Sequence, residues 1–168
     1  MLGTELYWIS GPWRGRLALA ARPRGGDWLE DELVGWKKMG VDAVLSLLTR
    51  EEEADLGLRN EAPIVKAHGM EFLKLPIPDR QVPISESEIA AVLDNLNIRL
   101  SSGKNVVVHC RQGVGRSGLL AACLLISRGS DPNAAVTKIS AARGVSVPET
   151  PEQREWIDHY AATLANSK

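Results

Sequence analysis

The sequence predicts a three-layer α/β/α fold built on a central, mostly parallel sheet of four to five strands. Three observations carry this expectation. Segments of helical periodicity alternate with short apolar runs along the chain. Val106-Val107-Val108 is apolar throughout, the pattern of a parallel strand covered on both faces. The 168 residues, 44% apolar and 24% charged, suit one domain with one core. That domain is expected to span 1–168, with edge strands and turns in 1–26 and the core in 27–165.

Taken in order, Leu6 to Ile9 and Arg16 to Ala21 read as short strands at the sheet edge, separated by a Gly11-Pro12 turn. Asp27 is placed to cap a helix running to about Met39, and Gly40 ends it before a buried strand, Val41 to Leu48. The acidic run Glu51 to Glu53 opens a weaker helix, its charges favoured at an N-terminus and otherwise solvated. A strand, Glu71 to Leu75, leads into Pro76-Ile77-Pro78-Asp79-Arg80-Gln81-Val82-Pro83, where three prolines impose a loop. Ser85 and Glu88 form a capping box for a helix whose apolar face is Ile89, Val92, Leu93, Leu96 and Leu100, stopped by Gly103. After strand 106–108 come helices Ser117 to Arg128, Pro132 to Arg143 and Pro151 to about Ala165.

Composition excludes several classes. With 20 Lys plus Arg against 21 Asp plus Glu, the net charge of -1 offers no global attraction to nucleic acid or anionic lipid. The longest apolar run, Leu119 to Ile126, has eight residues, far below the roughly 20 that span a bilayer. Neither terminus carries a leader or prenylation pattern, so a cytoplasmic protein is expected; separately, a monomer is expected. Cys110 and Cys123 match neither a redox pair nor a zinc set, and no metal or cofactor is expected. Trp8, Trp13, Trp28 and Trp36 read as packing under the sheet.

The chemistry lies in His109-Cys110-Arg111-Gln112-Gly113-Val114-Gly115-Arg116-Ser117-Gly118, which joins the central strand to the apolar helix. Ligands of open α/β sheets bind at this end of the strands. Gly113 and Gly115 let the loop curl so that successive N–H groups face inward as an anion nest, and the following helix adds its positive end. Arg116 supplies a planar two-pronged donor matched to a phosphoryl group. The same dipoles and guanidinium favour a thiolate at Cys110, a nucleophile facing the anion. Ser117 is placed to hydrogen-bond the sulfur and ease its departure, and His109 to fix the thiolate through nearby backbone. Each residue alone has a blander reading: Cys as a small buried apolar group, Ser as a helix cap. His-Cys followed after five residues by Arg-Ser arises by chance in only about one chain in ten thousand, which decides for the site.

Gly113 to Gly118 also fits a dinucleotide fingerprint, but 134–142 reads as helix and contains no acid where that site needs one. A serine-hydrolase elbow fails because Leu119 stands where glycine is required. A cysteine nucleophile leaves an ester oxygen needing a proton. Asp79, 31 positions before Cys110 on the proline-bounded loop, is the candidate acid, with Glu149 in reserve.

Residues His109 to Gly118 resemble the signature loop of the cysteine-based protein tyrosine and dual-specificity phosphatases, and Ile77-Pro78-Asp79 resembles their general-acid loop. The resemblance covers roughly 40–160 and lies with compact members of the kinase-associated phosphatase kind. It implies the protein tyrosine phosphatase-like fold and a metal-free, two-step reaction through phosphocysteine on a phosphorylated protein. By this resemblance Cys110 is the nucleophile, Arg116 the phosphate clamp, Asp79 the acid and then the base, and Ser117 the leaving-group aid. The amides of Arg111, Gln112, Gly113, Val114, Gly115 and Arg116 form the cradle, and Gln153 resembles the glutamine that places the hydrolytic water. Ile77 replaces the Trp that opens the loop in tyrosine-specific members, and no segment supplies their aromatic wall. A shallower pocket that also admits phosphoserine and phosphothreonine is expected. Arg111 offers a second reading, a phosphoinositide or RNA-end phosphatase of the same mechanism; a non-catalytic phosphate-binding module is the third.

Overall fold

The computed structural model describes residues 3–167. Strands β1 (Tyr7–Ile9), β2 (Leu17–Ala20), β3 (Ala43–Ser46), β4 (Glu71–Lys74) and β5 (Val106–His109) form one sheet in the order β1-β2-β5-β3-β4. Only β1 runs antiparallel, to β2; the other pairings are parallel. The expectation that both N-terminal strands lie at the edge is corrected for β2. It pairs with β1 on one side and β5 on the other, and all four of its residues are buried.

The sheet separates two apolar layers by the alternation of its side chains. Leu17 and Leu19, Ala43 and Leu45, Val106 and Val108 face one layer. Ala18, Ala20, Val44 and Val107 face the other. The first layer is filled by α4 (Glu86–Ser101), α5 (Gly115–Ser127), α6 (Pro132–Arg143) and α7 (Pro151–Asn166). Helix α5 lies at its centre, and every residue from Gly115 to Ile126 is buried, which explains why its sequence is apolar on all sides. The second layer holds α1 (Leu29–Lys38) and α3 (Glu61–Ala67), through Leu29, Leu33, Trp36 and Val65.

The short α2 (Arg50–Asp55) follows β3 and is opened by a capping box between Thr49 and Glu52. At α4 the Ser85 hydroxyl accepts from the Glu88 amide at 3.2 Å, which is the N-cap half of the expected capping box without the reciprocal bond from the Glu88 side chain. Asp131 caps α6, Pro132 occupies its first position, and Gly144 closes it at φ 81°. Other expectations are corrected. Asp27 does not cap α1: it lies inside a 3₁₀ turn, Gly26–Trp28, and Trp28 is the residue that precedes the helix. Helix α5 starts at Gly115, two residues before the expected Ser117. Helix α3 was not expected, because Pro63 and a boundary without a side-chain cap hide it. The tryptophans disperse: Trp36 and Trp13 are buried, whereas Trp28 is 46% exposed with the Arg24 guanidinium 4.7 Å above its ring. Among the described residues no helix is long and apolar enough to cross a membrane.

Candidate active site

The carboxyl ends of β5 and β3 and the loop after β4 converge on Cys110. Leu47 N–H bonds the His109 carbonyl at 2.9 Å, and Ile77 N–H bonds the Leu47 carbonyl at 3.0 Å, so three successive crossings are stitched together at one point. Cys110, Arg111, Gln112, Gly115, Arg116, Asp79, Arg80 and Glu149 line a small pocket of about 90 Å³, roughly three water volumes and of phosphoryl size. The larger groove between α4 and α7 includes none of these residues.

Loop geometry begins with Gly113. Its φ of 74° is a left-handed conformation, and a Cβ there would stand 2.6 Å from the Ala20 carbonyl, so glycine alone fits. Its N–H points at the Cys110 sulfur, 3.3 Å away, as the anion nest requires. From outside, Arg143 of α6 donates to the carbonyls of Gln112 at 3.0 Å and Gly113 at 3.1 Å, and it stacks over Tyr7 at 4.0 Å. Holding those carbonyls outward turns the amides of the same peptide planes, those of Gly113 and Val114, inward. Arg143 was missed in the sequence, 30 residues from the glycine it supports.

Arg116 is 2% exposed and fully engaged at both terminal nitrogens. Nη1 donates to Glu52 Oε1 at 2.7 Å and to the Ile77 carbonyl at 2.8 Å. Nη2 donates to Glu52 Oε2 at 2.9 Å and to Asp79 Oδ1 at 3.0 Å. The predicted acid therefore does meet the predicted clamp, on a side chain that is 50% exposed. Burial opposes the charge of Arg116, but the hydrogen bonds it donates to Glu52 and the charges of Cys110, Glu52 and Asp79 prevail and hold it protonated.

Glu52 reads in the sequence as part of a solvated turn and is instead the hub of the site. Its Oε1 accepts from Thr49 N–H at 3.1 Å as well as from Arg116, and its Oε2 accepts from Arg111 Nε at 3.4 Å. Thr49-x-x-Glu52 is a capping-box pattern, and that was the available signal. Burial pushes Glu52 upward, but the Arg116 hydrogen bonds, the Thr49 amide and Arg111 hold it below the usual carboxylate range. Glu32 behaves alike, with burial outweighed by the Thr4 amide and Arg24, and Glu71 is lowered by Arg99 and Lys104. Lowered carboxylates stabilise the fold above their unfolded values, near pH 4, and that stability is lost as pH falls through the lower folded values. Thermal melts should therefore show a melting temperature that drops steadily from pH 5 to pH 2.5, less steeply in Glu52→Gln. A constant melting temperature over that interval would contradict these pairings.

Other candidates sit differently from expectation. The expected bond from Ser117 to the sulfur is not made: its hydroxyl is fully buried in the first turn of α5 and has no partner among the described residues. Gln153, expected to face substrate, is fully buried and does not line the pocket. Its Oε1 accepts from the amides of Glu149 and Thr150 at 3.1 and 3.2 Å, and its Nε2 donates to the Gln81 carbonyl at 3.0 Å. It thereby ties the start of α7 to the Asp79 loop. Glu149 is paired with Arg80 at 3.3 Å on the pocket rim. His109 is buried, with Nδ1 at 3.4 Å from the Cys110 carbonyl. Cys123 is buried, its thiol pushed far up by burial, and both cysteines are free.

A loop that carries the candidate nucleophile Cys110 between a central parallel strand and a buried helix, with Arg116 and Asp79 lining the same pocket, is the arrangement of a phosphatase domain of the cysteine-based class. Residues 7–162 match the model of the Swiss Army Knife protein DSP-PTPase phosphatase domain family, and the chain belongs to that family. Cyclin-dependent kinase inhibitor 3 of Sus scrofa is 29% identical over 131 residues, covering 77% of this chain and 61% of that protein. The chain thus spans about three fifths of the length of this curated relative. The crystal structure of kinase associated phosphatase with its catalytic-site cysteine replaced by serine superposes with a TM-score of 0.90 at 22% identity, over 98% of both chains. Tk-PTP in its active form gives 0.77 at 29% identity, over 94% of this chain and 96% of that one.

Proposed function

We propose that the protein is a phosphoprotein phosphatase that hydrolyses phosphotyrosine and also phosphoserine and phosphothreonine through a phosphocysteine on Cys110. The observation that carries this is the meeting of Cys110, Arg116 and Asp79 in one pocket of phosphoryl size. Sulfur attacks phosphorus while the P–O ester bond breaks, and Asp79 gives its proton to the departing oxygen. Water then attacks the phosphocysteine, Asp79 takes the water proton, and the S–P bond breaks to return the thiolate. Arg116 and the loop amides hold the phosphoryl oxygens through both steps. An incoming phosphoryl group competes with Asp79 for Nη2 of Arg116, so binding frees the carboxylate to take up from solvent the proton that it then gives to the departing oxygen.

The pocket lining contains no aromatic side chain, which supports a shallow site open to alkyl as well as aryl phosphates. The Arg111 charge that suggested a polyanionic substrate is shared with Glu52, which weakens the phosphoinositide reading. The working unit in this reading is a monomer acting on phosphorylated proteins in a reducing compartment, without metal. The test is acid quench of the protein with ³²P-labelled phosphopeptide in EDTA and reductant, followed by peptide mapping. Label on the peptide containing Cys110 is the expected result. Label elsewhere, or turnover that requires a metal, overturns the reading.

A further inference from the structure

The first residue of α3, Glu61, is wholly buried against the second apolar layer, where nothing in the reaction described above requires a carboxylate. Its Oε2 lies 2.6 Å from Nε2 of His109, with both side chains at 0% exposure. Its Oε1 has no hydrogen-bond partner among the described residues. A buried acid with one oxygen unsatisfied is costly, and in a native fold such a group calls for an explanation. The other edge of the same imidazole faces the Cys110 carbonyl, and Trp36 flanks the ring at 6.0 Å.

We propose that Glu61 is a positioning residue for the reaction, acting through His109 on the backbone and the sulfur of Cys110. A carbonyl only accepts, so Nδ1 of His109 carries a proton. A contact of 2.6 Å between Nε2 and a carboxylate oxygen needs a second proton between them. The pair therefore holds two protons and is neutral as a unit. With the second proton on Nε2, the ring is the positive end and stands toward Cys110, and the carboxylate lies beyond the far edge of the ring. This arrangement has two effects. The Cys110 carbonyl is fixed, which turns the Arg111 amide of the same planar peptide toward the cradle. The oriented pair also favours negative charge on the neighbouring sulfur.

The other charged groups around Cys110 are Arg116 of α5, Arg111 of its own loop, Asp79 and Arg80 of the loop after β4, and Glu149 ahead of α7. Glu52 of α2 acts on it through both Arg116 and Arg111. All of these stay in place in Glu61→Gln, which retains a hydrogen bond to Nε2 but leaves the ring neutral. The inference rests on Cys110 being the nucleophile, and alkylation reads the thiol without turnover, so failure of one and failure of the other are distinguishable.

The experiment is the rate of Cys110 alkylation by iodoacetamide against pH in wild type and Glu61→Gln, with melting temperatures recorded alongside. Alkylation at pH 6 is expected to slow by about tenfold in the variant, the equivalent of one unit on the pH axis. The acidic limb of kcat/KM on p-nitrophenyl phosphate should move to higher pH by the same interval. A lowered melting temperature with an unchanged alkylation curve would show a purely structural carboxylate and overturn the proposal. If Glu61→Gln does not fold, ¹⁵N spectra of the wild-type imidazoles decide. Protons on both ring nitrogens of His109 from pH 5.5 to 8.5 support the pair, and a neutral imidazole with either nitrogen bare overturns it.

Discussion

Cys110→Ser is expected to lower turnover of p-nitrophenyl phosphate, measured in EDTA and reductant, by at least about 10⁴-fold. The serine hydroxyl keeps its proton at neutral pH, whereas the loop is built to receive an anion at this position. The Gly113 amide already points at the sulfur from 3.3 Å, and Arg116 places a fixed cation in the same pocket. Exchanging sulfur for oxygen is therefore expected to abolish the nucleophile and leave the cradle. Phosphate should still bind to the variant with affinity within a few-fold of wild type, read by its protection against thermal unfolding. Activity retained by Cys110→Ser would mean that the hydrolysis uses another group, and the mechanism would fall.

The second large effect belongs to Arg116→Ala. Losing the planar donor on the transferring group is expected to lower kcat/KM by about 10³-fold or more. It also strands Glu52, a buried carboxylate held by both guanidinium nitrogens at 2.7 and 2.9 Å. Breaking such a pair from one side costs about 3–5 kcal/mol, which for a chain of this size lowers the melting temperature by roughly 10 °C. Arg116→Lys keeps the charge but cannot serve both Glu52 oxygens together with the Ile77 carbonyl, so it should resemble the alanine variant in activity more than in stability. The double variant Arg116→Met with Glu52→Leu should recover most of the melting temperature and none of the turnover. Equal melting temperatures for wild type and Arg116→Ala would show that the pair does not form.

What the sequence revealed and concealed divides along one line. Strand β5, its loop and α5 were legible because every signal is local: an apolar triplet, two glycines, then an apolar helix. Helix α6 was legible to the residue because Asp131, Pro132 and Gly144 mark both ends with backbone chemistry. Asp27 misled because a plausible cap only acts if its backbone is extended, and here it turns into a 3₁₀ segment. Helix α3 has no side-chain cap and carries a proline in its first turn, so it stands on burial of Glu61 and Val65, which no local pattern announces. The partners of the site were hidden for the same reason. Glu52 meets Arg116 across 64 positions and Glu61 meets His109 across 48, distances at which only the completed sheet decides who is adjacent. The candidate acid, clamp and nucleophile were visible because their chemistry is demanding; the carboxylates that hold them were not, because any Glu in a helical turn looks alike.

The strand order has a consequence for how the protein comes into being. β5 is the last strand in the chain yet lies between β2 and β3, made long before it. During synthesis the chain ahead of β5 has partners only for β1 with β2 and for β3 with β4, which leaves a slot between the two pairs and unsatisfied edges on either side of it. The segment that fills the slot also brings the Cys110 thiol, so the sheet and the candidate nucleophile are completed in one event. No nascent intermediate can possess a working pocket, and the burden of early folding falls on an edge that waits for its own chain. A polypeptide ending before residue 106 should therefore be a clinging, chaperone-dependent species. A separately supplied peptide carrying β5 and helices α5 to α7 is the piece that would restore both order and reactivity.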